Sequence, residues 1–173
     1  MNNELINNAA QALSIQGVFL RESTVRLKAN FVPQFVAAEL PLMPQYKAGP
    51  TGDYNLISSA HDDSASFKVL LFDFAAGIRL VDQRQLKALE ENPDIADEAL
   101  YLETTATFSA HYRLKDGADE NSLVDAFGEF GRHNVGYHVW PYWREYVQST
   151  CARIGIPPIP IPMYQISPNP DEA

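Results

Sequence analysis

The stretch ALYLETTATFSAHYRL, residues 99–114, carries the most regular alternation in the chain. Leu100, Leu102, Ala106, Phe108, Ala110, Tyr112 and Leu114 share one parity, while Tyr101, Glu103, Thr105, Thr107, Ser109, His111 and Arg113 share the other. Successive strand side chains point to opposite faces, so this is an antiparallel strand with one dry and one wet face. A dry sheet face must be covered, and the rest of the chain is read for strands that extend the sheet and helices that cover it.

Upstream, Phe67–Leu80 places Leu70, Phe72, Phe74, Ala76, Ile78 and Leu80 on one parity and Phe67, Val69 and Leu71 on the other. Its first half therefore reads as buried on both faces. The connector Gln83–Glu98 is polar and helix-like up to Pro93. Tyr54–Ala60 is a short strand closed by the polar turn His61-Asp62-Asp63-Ser64. Ile15 to Lys28 is a further strand, with Ile15, Phe19, Val25 and Leu27 on one parity and Gln16, Glu22, Thr24, Arg26 and Lys28 on the other. Arg21 and Ser23 break that pattern, which predicts a bulge or bend near them. Leu5, Ile6, Ala9, Ala10 and Leu13 have helical spacing over 3–13, weakened by Asn2, Asn3, Asn7 and Asn8. Residues 30–53 are punctuated by Pro33, Pro41, Pro44 and Pro50, which predicts a long irregular loop that still carries apolar side chains.

Downstream the period turns helical. Asn121 or Ser122 is expected to cap a helix through Leu123, Phe127 and Phe130, ending near Gly131. A second helix over 136–154 has the stripe Val139, Trp143, Val147, Cys151 and Ile154, with Gly155 as its stop. Pro141 is expected to kink it or to mark its first turn. The segment IPPIPIPMYQISPNPDEA is too proline-rich for anything but extended chain. The fold class is α+β, a four-stranded antiparallel sheet packed with a long C-terminal helix. It divides into an N-terminal extension over 1–13, one domain over 14–162 and a flexible Pro-rich tail over 163–173.

Composition narrows the function. Lys and Arg number 13 against 22 Asp and Glu, a net charge of −9 without any basic cluster. Nucleic acid and anionic membrane surfaces are therefore disfavoured partners. No apolar run approaches the ~20 residues of a membrane helix, and the opening residues have no basic segment ahead of an apolar one. A cytoplasmic protein is the expectation, consistent with a single cysteine, Cys151. No metal or cofactor motif occurs. Cys151 with His133 or His138 would make a nucleophile and base only if the fold joined them, and the polar turn at 61–64 needs no metal. An enzyme is not expected.

Phe127, Phe130, Tyr137, Trp140, Tyr142, Trp143 and Tyr146 crowd aromatic rings onto more faces than one helix stripe covers. That predicts an oligomer interface through Tyr137, Tyr142, Trp143 and Tyr146.

The segment HNVGYHVWPYWREYVQSTCARIGIPPIPI, residues 133–161, resembles the signature region of the SecB family of export chaperones. The matching residues are Pro141-Tyr142-Trp143-Arg144-Glu145, Gly155 and the extended Ile156–Ile161, while Ile15–Glu22 looks like that family's first strand. The resemblance implies a SecB-like sheet and helix, a homotetramer, and an ATP-independent holdase for unfolded or precursor polypeptides. Those would be passed to the translocase motor ATPase, or the chain would serve a toxin–antitoxin pair. A dedicated module binding one folded partner is the alternative. The 30–53 loop would border the client groove, with Phe31, Phe35, Leu40, Leu42, Met43, Tyr46, Trp140 and Ile161 as client-binding residues. Glu22 and Glu103 would form the motor-docking surface, although Arg26 stands where an acidic residue is expected. The family's helix after the Pro-rich segment is expected to be absent, which would remove one wall of the groove.

Overall fold

A computed structural model describes residues 1–36, 40–59, 67–91 and 96–165. Helix α1 (Asn3–Ala12) starts where the Asn2 side chain accepts hydrogen bonds from the backbone N–H groups of Glu4 and Leu5. Asparagine lowers propensity inside a helix but caps its start well, and here one asparagine holds the first turn. Strand β1 (Leu13–Leu27) comes directly after it. A four-residue helix α2 (Pro33–Val36) leads to β2 (Leu42–Pro50) and β3 (Asn55–Ser59). The long β4 (Phe67–Asp82) ends where the Asp82 carboxylate accepts from the backbone and guanidinium of Arg84. Short helices α3 (Leu86–Glu91) and α4 (Ala96–Ala99) precede β5 (Leu100–Leu114). The chain then forms α5 (Val124–His133), α6 (Val135–Ile154) and an extended run through Gln165.

The sheet is antiparallel in the order β1-β5-β4-β2, and β3 also pairs with β4. Strand β3 covers Phe67–Leu71 of β4 and β2 covers Phe74–Asp82, so two strand segments share one edge position. The sheet is thus four positions wide. This corrects the reading of 30–53 as wholly irregular, since Leu42–Pro50 is a strand containing Pro44 and Pro50. Those prolines are tolerated because β2 lies at an edge, where one side of the backbone has no ladder to supply. The polar turn at 61–64, Pro93 and residues 166–173 lie outside the described residues.

Strand β1 carries two register shifts, between Ile15 and Gly17 and between Leu20 and Glu22. The second falls at Arg21, where the broken parity predicted it. The first has no counterpart in the sequence pattern, and it separates Ile15 from Phe19. Ile15 stands opposite Tyr112 on the helix side, whereas Phe19 stands opposite Ser109 on the open side. The shared parity expected of these two residues is lost because each bulge reverses the facing of the residues beyond it.

One sheet face is the core. Leu70, Phe72, Phe74, Ala76, Ile78 and Leu80 of β4 and Leu102, Ala106, Phe108, Ala110, Tyr112 and Leu114 of β5 are all buried. Helix α5 covers them with Ala126, Phe127 and Phe130, and α6 with Val135, Val139, Trp143, Val147 and Cys151. Each large apolar side chain so buried contributes about 1.5–3 kcal/mol. Asp119, and not Asn121 or Ser122, accepts from the first turn before α5. Pro141 lies inside α6 and does not open it, while Gly155 ends α6 at φ 75°, a conformation glycine adopts without strain.

Candidate functional site

The residues expected to bind a client divide into three groups. Phe35 on α2 is 80% exposed. Phe31 is half-buried with its ring against the edge of Tyr101, and Leu40, Leu42 and Met43 are half-buried, Leu42 packing on the core. Tyr46, Trp140 and Ile161 come together. The Tyr46 hydroxyl donates to the Pro160 carbonyl at 2.8 Å, and Trp140 Nε1 donates to the Pro162 carbonyl at 2.8 Å. These two donors hold the backbone on either side of Ile161, whose side chain is buried. Tyr46 and Trp140 are therefore engaged by this chain's own extended segment, of which Ile161 is a buried part, and this corrects the placement of Trp140 and Ile161 on an open groove.

That segment also seals the core with Ile156 and Ile159. Beyond Pro162, Tyr164 folds back over α6, its ring centroid 4.9 Å from Tyr137, 5.1 Å from Trp140 and 6.0 Å from Phe74. The ring rests against Gly136, where any Cβ would collide with it. An aromatic socket is thus built from β4 and α6 and filled from the C-terminal segment. Part of the tail expected to be flexible, at 163–165, includes this half-buried tyrosine.

The expected oligomer contacts also separate. Trp143 is buried in its own chain and stacks on Tyr146 at 5.8 Å, so it offers nothing to a partner. Tyr146 is half-buried against Phe108, whereas Tyr137 and Tyr142 remain about half exposed.

The open sheet face differs from the acidic surface anticipated. Glu22 is exposed opposite Thr107, but Glu103 is half-buried with Arg26 opposite it on β1 and Arg79 on β4. Arg79 Nε in turn donates to Gln45 Oε1 at 2.6 Å. The row Arg26, Glu103, Arg79, Gln45 crosses the sheet with more positive than negative charge. Further along, Phe19 lays its ring 4.7 Å from that of His111 and across Gly17, which has no side chain to obstruct it. On the same face, Asp73 Oδ1, Ser109 Oγ and His111 Nε2 are buried without hydrogen-bond partners among the described residues.

A groove that sequence reasoning missed lies between α1, α5 and β3. Leu5, Tyr54, Leu56 and Val124 line it, and Asp53, Asp125, Glu129 and Arg132 rim it. Glu129 accepts from the Asn2 N–H at 2.7 Å and from Arg132, and these bonds hold its carboxyl below the ordinary range. Only the docking of α1 on α5 brings these residues together, so no spacing along the chain announces the groove.

The conceivable nucleophile is not assembled. Cys151 is buried under the sheet, and burial pushes its thiol upward in pKa. His138 lies on the same helix, about 20 Å away along its axis at 1.5 Å per residue. Among the described residues no cluster of three or more His, Cys, Asp or Glu side chains could hold a metal ion, and no helix is long and apolar enough to cross a membrane.

Neither a protein-family model nor a curated protein matches the sequence. Among solved structures, the chain is similar to the Mycobacterium tuberculosis Rv1957 SecB-like chaperone in complex with a ChAD peptide from the Rv1956 HigA1 antitoxin. The likeness has a TM-score of 0.60 at 14% identity and covers 93% of this chain and 97% of that one. At that identity the likeness speaks for the fold: an antiparallel sheet with a long C-terminal helix, arranged as in a SecB-like chaperone.

Proposed function

We propose that this protein is a holdase that binds extended, non-native polypeptide without ATP, with a dedicated client such as an antitoxin as the narrower form of the same role. The observation that carries this reading is the set of exposed apolar side chains on α2, along the β2/β3 edge of the sheet and at the start of β4, on both sheet faces. Phe35 is 80% exposed, Ile57 51%, Phe67 43%, Leu56 40% and Tyr46 39%. Scattered apolar residues are ordinary, but large ones on both faces of one sheet edge suit an extended chain that adds backbone hydrogen bonds to side-chain contacts. The net charge of −9 keeps a protein with such a surface soluble. The similar chaperone is itself bound to an antitoxin peptide, which favours a dedicated client.

Docking to a translocase motor through Glu22 and Glu103 is no part of the proposed role, because the arginines flanking Glu103 cancel an acidic patch there. A homotetramer remains part of it, with Tyr137 and Tyr142 as the contact residues. The test is suppression of aggregation during refolding of several unrelated denatured proteins. Phe35→Ser combined with Ile57→Ser should weaken suppression while circular dichroism stays unchanged. Equal suppression by the variant and the parent would remove this surface from the proposal. Suppression of none of the test proteins, with tight binding of one partner, would leave only the dedicated role.

A further inference from the structure

The geometry points to Tyr164 as a built-in, displaceable ligand: its ring plugs an aromatic socket that takes an aromatic side chain of a bound extended polypeptide. The inference rests on the polypeptide-binding role proposed above and names one of its sites.

Three observations carry it. First, the socket is shaped for a ring. Tyr137 and Trp140 approach Tyr164 at 4.9 and 5.1 Å, Phe74 closes the bottom at 6.0 Å, and Gly136 supplies the gap in the helix surface that admits the ring. Secondly, the hydrogen bonds that hold the segment read backbone, not side chains. Trp140 Nε1 takes the Pro162 carbonyl, so any extended chain with a carbonyl at that position satisfies the same donor, while Tyr46 keeps the Pro160 carbonyl of the part that stays. Aromatic grooves whose indole and phenol groups donate to the carbonyls of proline-rich segments are a recurrent way of binding peptides.

Thirdly, the segment is anchored unevenly. Ile156, Ile159 and Ile161 are buried and belong to the core. Among the described residues past Ile161, the chain is held by the Pro162 carbonyl, the Tyr164 ring and a weak contact of Arg144 Nη1 on Met163 Sδ at 3.8 Å. Met163 itself is 72% exposed. Residues 162–165 can leave with the three isoleucines still in place, and their departure uncovers the core residues Phe74 and Trp140 beside Gly136, which a client ring would cover again. A client with an aromatic residue two positions after the accepting carbonyl reproduces the spacing of Pro162 and Tyr164. The occupant is thus defined: an extended, apolar polypeptide segment with a ring at that position.

A tethered occupant lowers the apparent affinity of a competing ligand by the fraction of time the socket stands open. The test uses a fluorescent ten-residue peptide containing Ile-Pro-Ala-Tyr, and its counterpart with Ala in place of Tyr, titrated into the full chain, Tyr164→Ala and Tyr164→Ala with Gly136→Ala. The expected result is at least about 10-fold tighter binding of the Tyr peptide by Tyr164→Ala than by the parent. The gain should vanish with the Ala peptide and with the added Gly136→Ala, whose methyl fills the socket. Equal affinity for parent and Tyr164→Ala, or a gain that survives Gly136→Ala, overturns the proposal. Loss of the native circular dichroism spectrum in Tyr164→Ala overturns it too, because the ring would then be core. Refolding suppression by the same preparations separates the two readings: a parent that suppresses aggregation while Tyr164→Ala gains nothing keeps the holdase and removes the plug.

Discussion

The Tyr112 hydroxyl lies 2.6 Å from His138 Nδ1, a hydrogen bond that ties β5 to α6 inside a largely apolar layer. Burial pushes the Tyr112 hydroxyl well above its ordinary pKa and the His138 imidazole below 6.5. The link therefore works with both groups uncharged.

Stability should fall as pH drops below about 6.5. Burial lowers His138, and burial with the nearby Arg21 charge lowers His111, against a smaller opposing effect of Asp73. Above 6.5 neither the folded nor the unfolded chain binds these protons, so the contribution is level. Below it the unfolded chain takes up protons that the folded chain resists, and stability is lost as pH falls towards the lowered folded values. Urea midpoints at pH 7.5 and 5.5 check this, and His111→Asn should flatten the difference. Equal midpoints for the parent would contradict it.

Trp143 and Tyr142 are neighbours in sequence with opposite fates. Trp143→Ala empties a fully buried site and should cost about 3–5 kcal/mol. Tyr142→Ala, at a half-exposed ring, should change the stability of the chain by no more than about 0.5 kcal/mol. Denaturant titration of both variants decides between them.

Light scattering at micromolar concentration should give a multiple of 19.3 kDa. Ile15, Leu20 and Val25 lie half-exposed on the helix side of β1, and Tyr137 and Tyr142 are exposed on α6. Apolar surface on that scale is a reason for a partner. A monomer across that range would remove the interface, and Tyr137→Ser with Tyr142→Ser should lower the mass if it exists.

Glu103→Lys should destabilise the sheet by roughly 0.5–1 kcal/mol, since it would set three cations side by side between Arg26 and Arg79. Adding Arg26→Glu should recover part of the loss. A neutral outcome would mean that the row contributes nothing.

The sheet and its helices were legible because their periods are strong: the parity of β4 and β5 and the stripe of α6 each name the face that is buried. Phe19 was misplaced because a single bulge at Gln16 reverses the rule that periodicity relies on, and the neighbouring Gly17 marks it only weakly. Strand β2 was hidden by Pro44 and Pro50, which forbid a central strand and say nothing against an edge. The candidate site was legible in its residues but not in its state. Tyr46, Trp140 and Ile161 stand out in the sequence as apolar and aromatic, yet the engagement of Tyr46 and Trp140 by Pro160 and Pro162 depends on a return path of the chain. Tyr164 offered no local signal, because its partners Phe74 and Gly136 are distant in sequence.

The pairing of Leu13 with Leu114 has a consequence for how the protein is made. Among the described residues strand β1 hydrogen-bonds to β5 and to no other strand, so a strand made before β2, β3 and β4 waits for one made after them. At ordinary synthesis rates of about 5–20 residues per second, that interval is roughly 5–20 s. Throughout it Ile15, Phe19, Leu20 and Val25 form a nascent edge with no ladder to join, and the loop to be closed makes the final pairing slow. Until β5 arrives, this protein presents to the cell the same kind of unpaired, apolar chain that its folded form is proposed to hold.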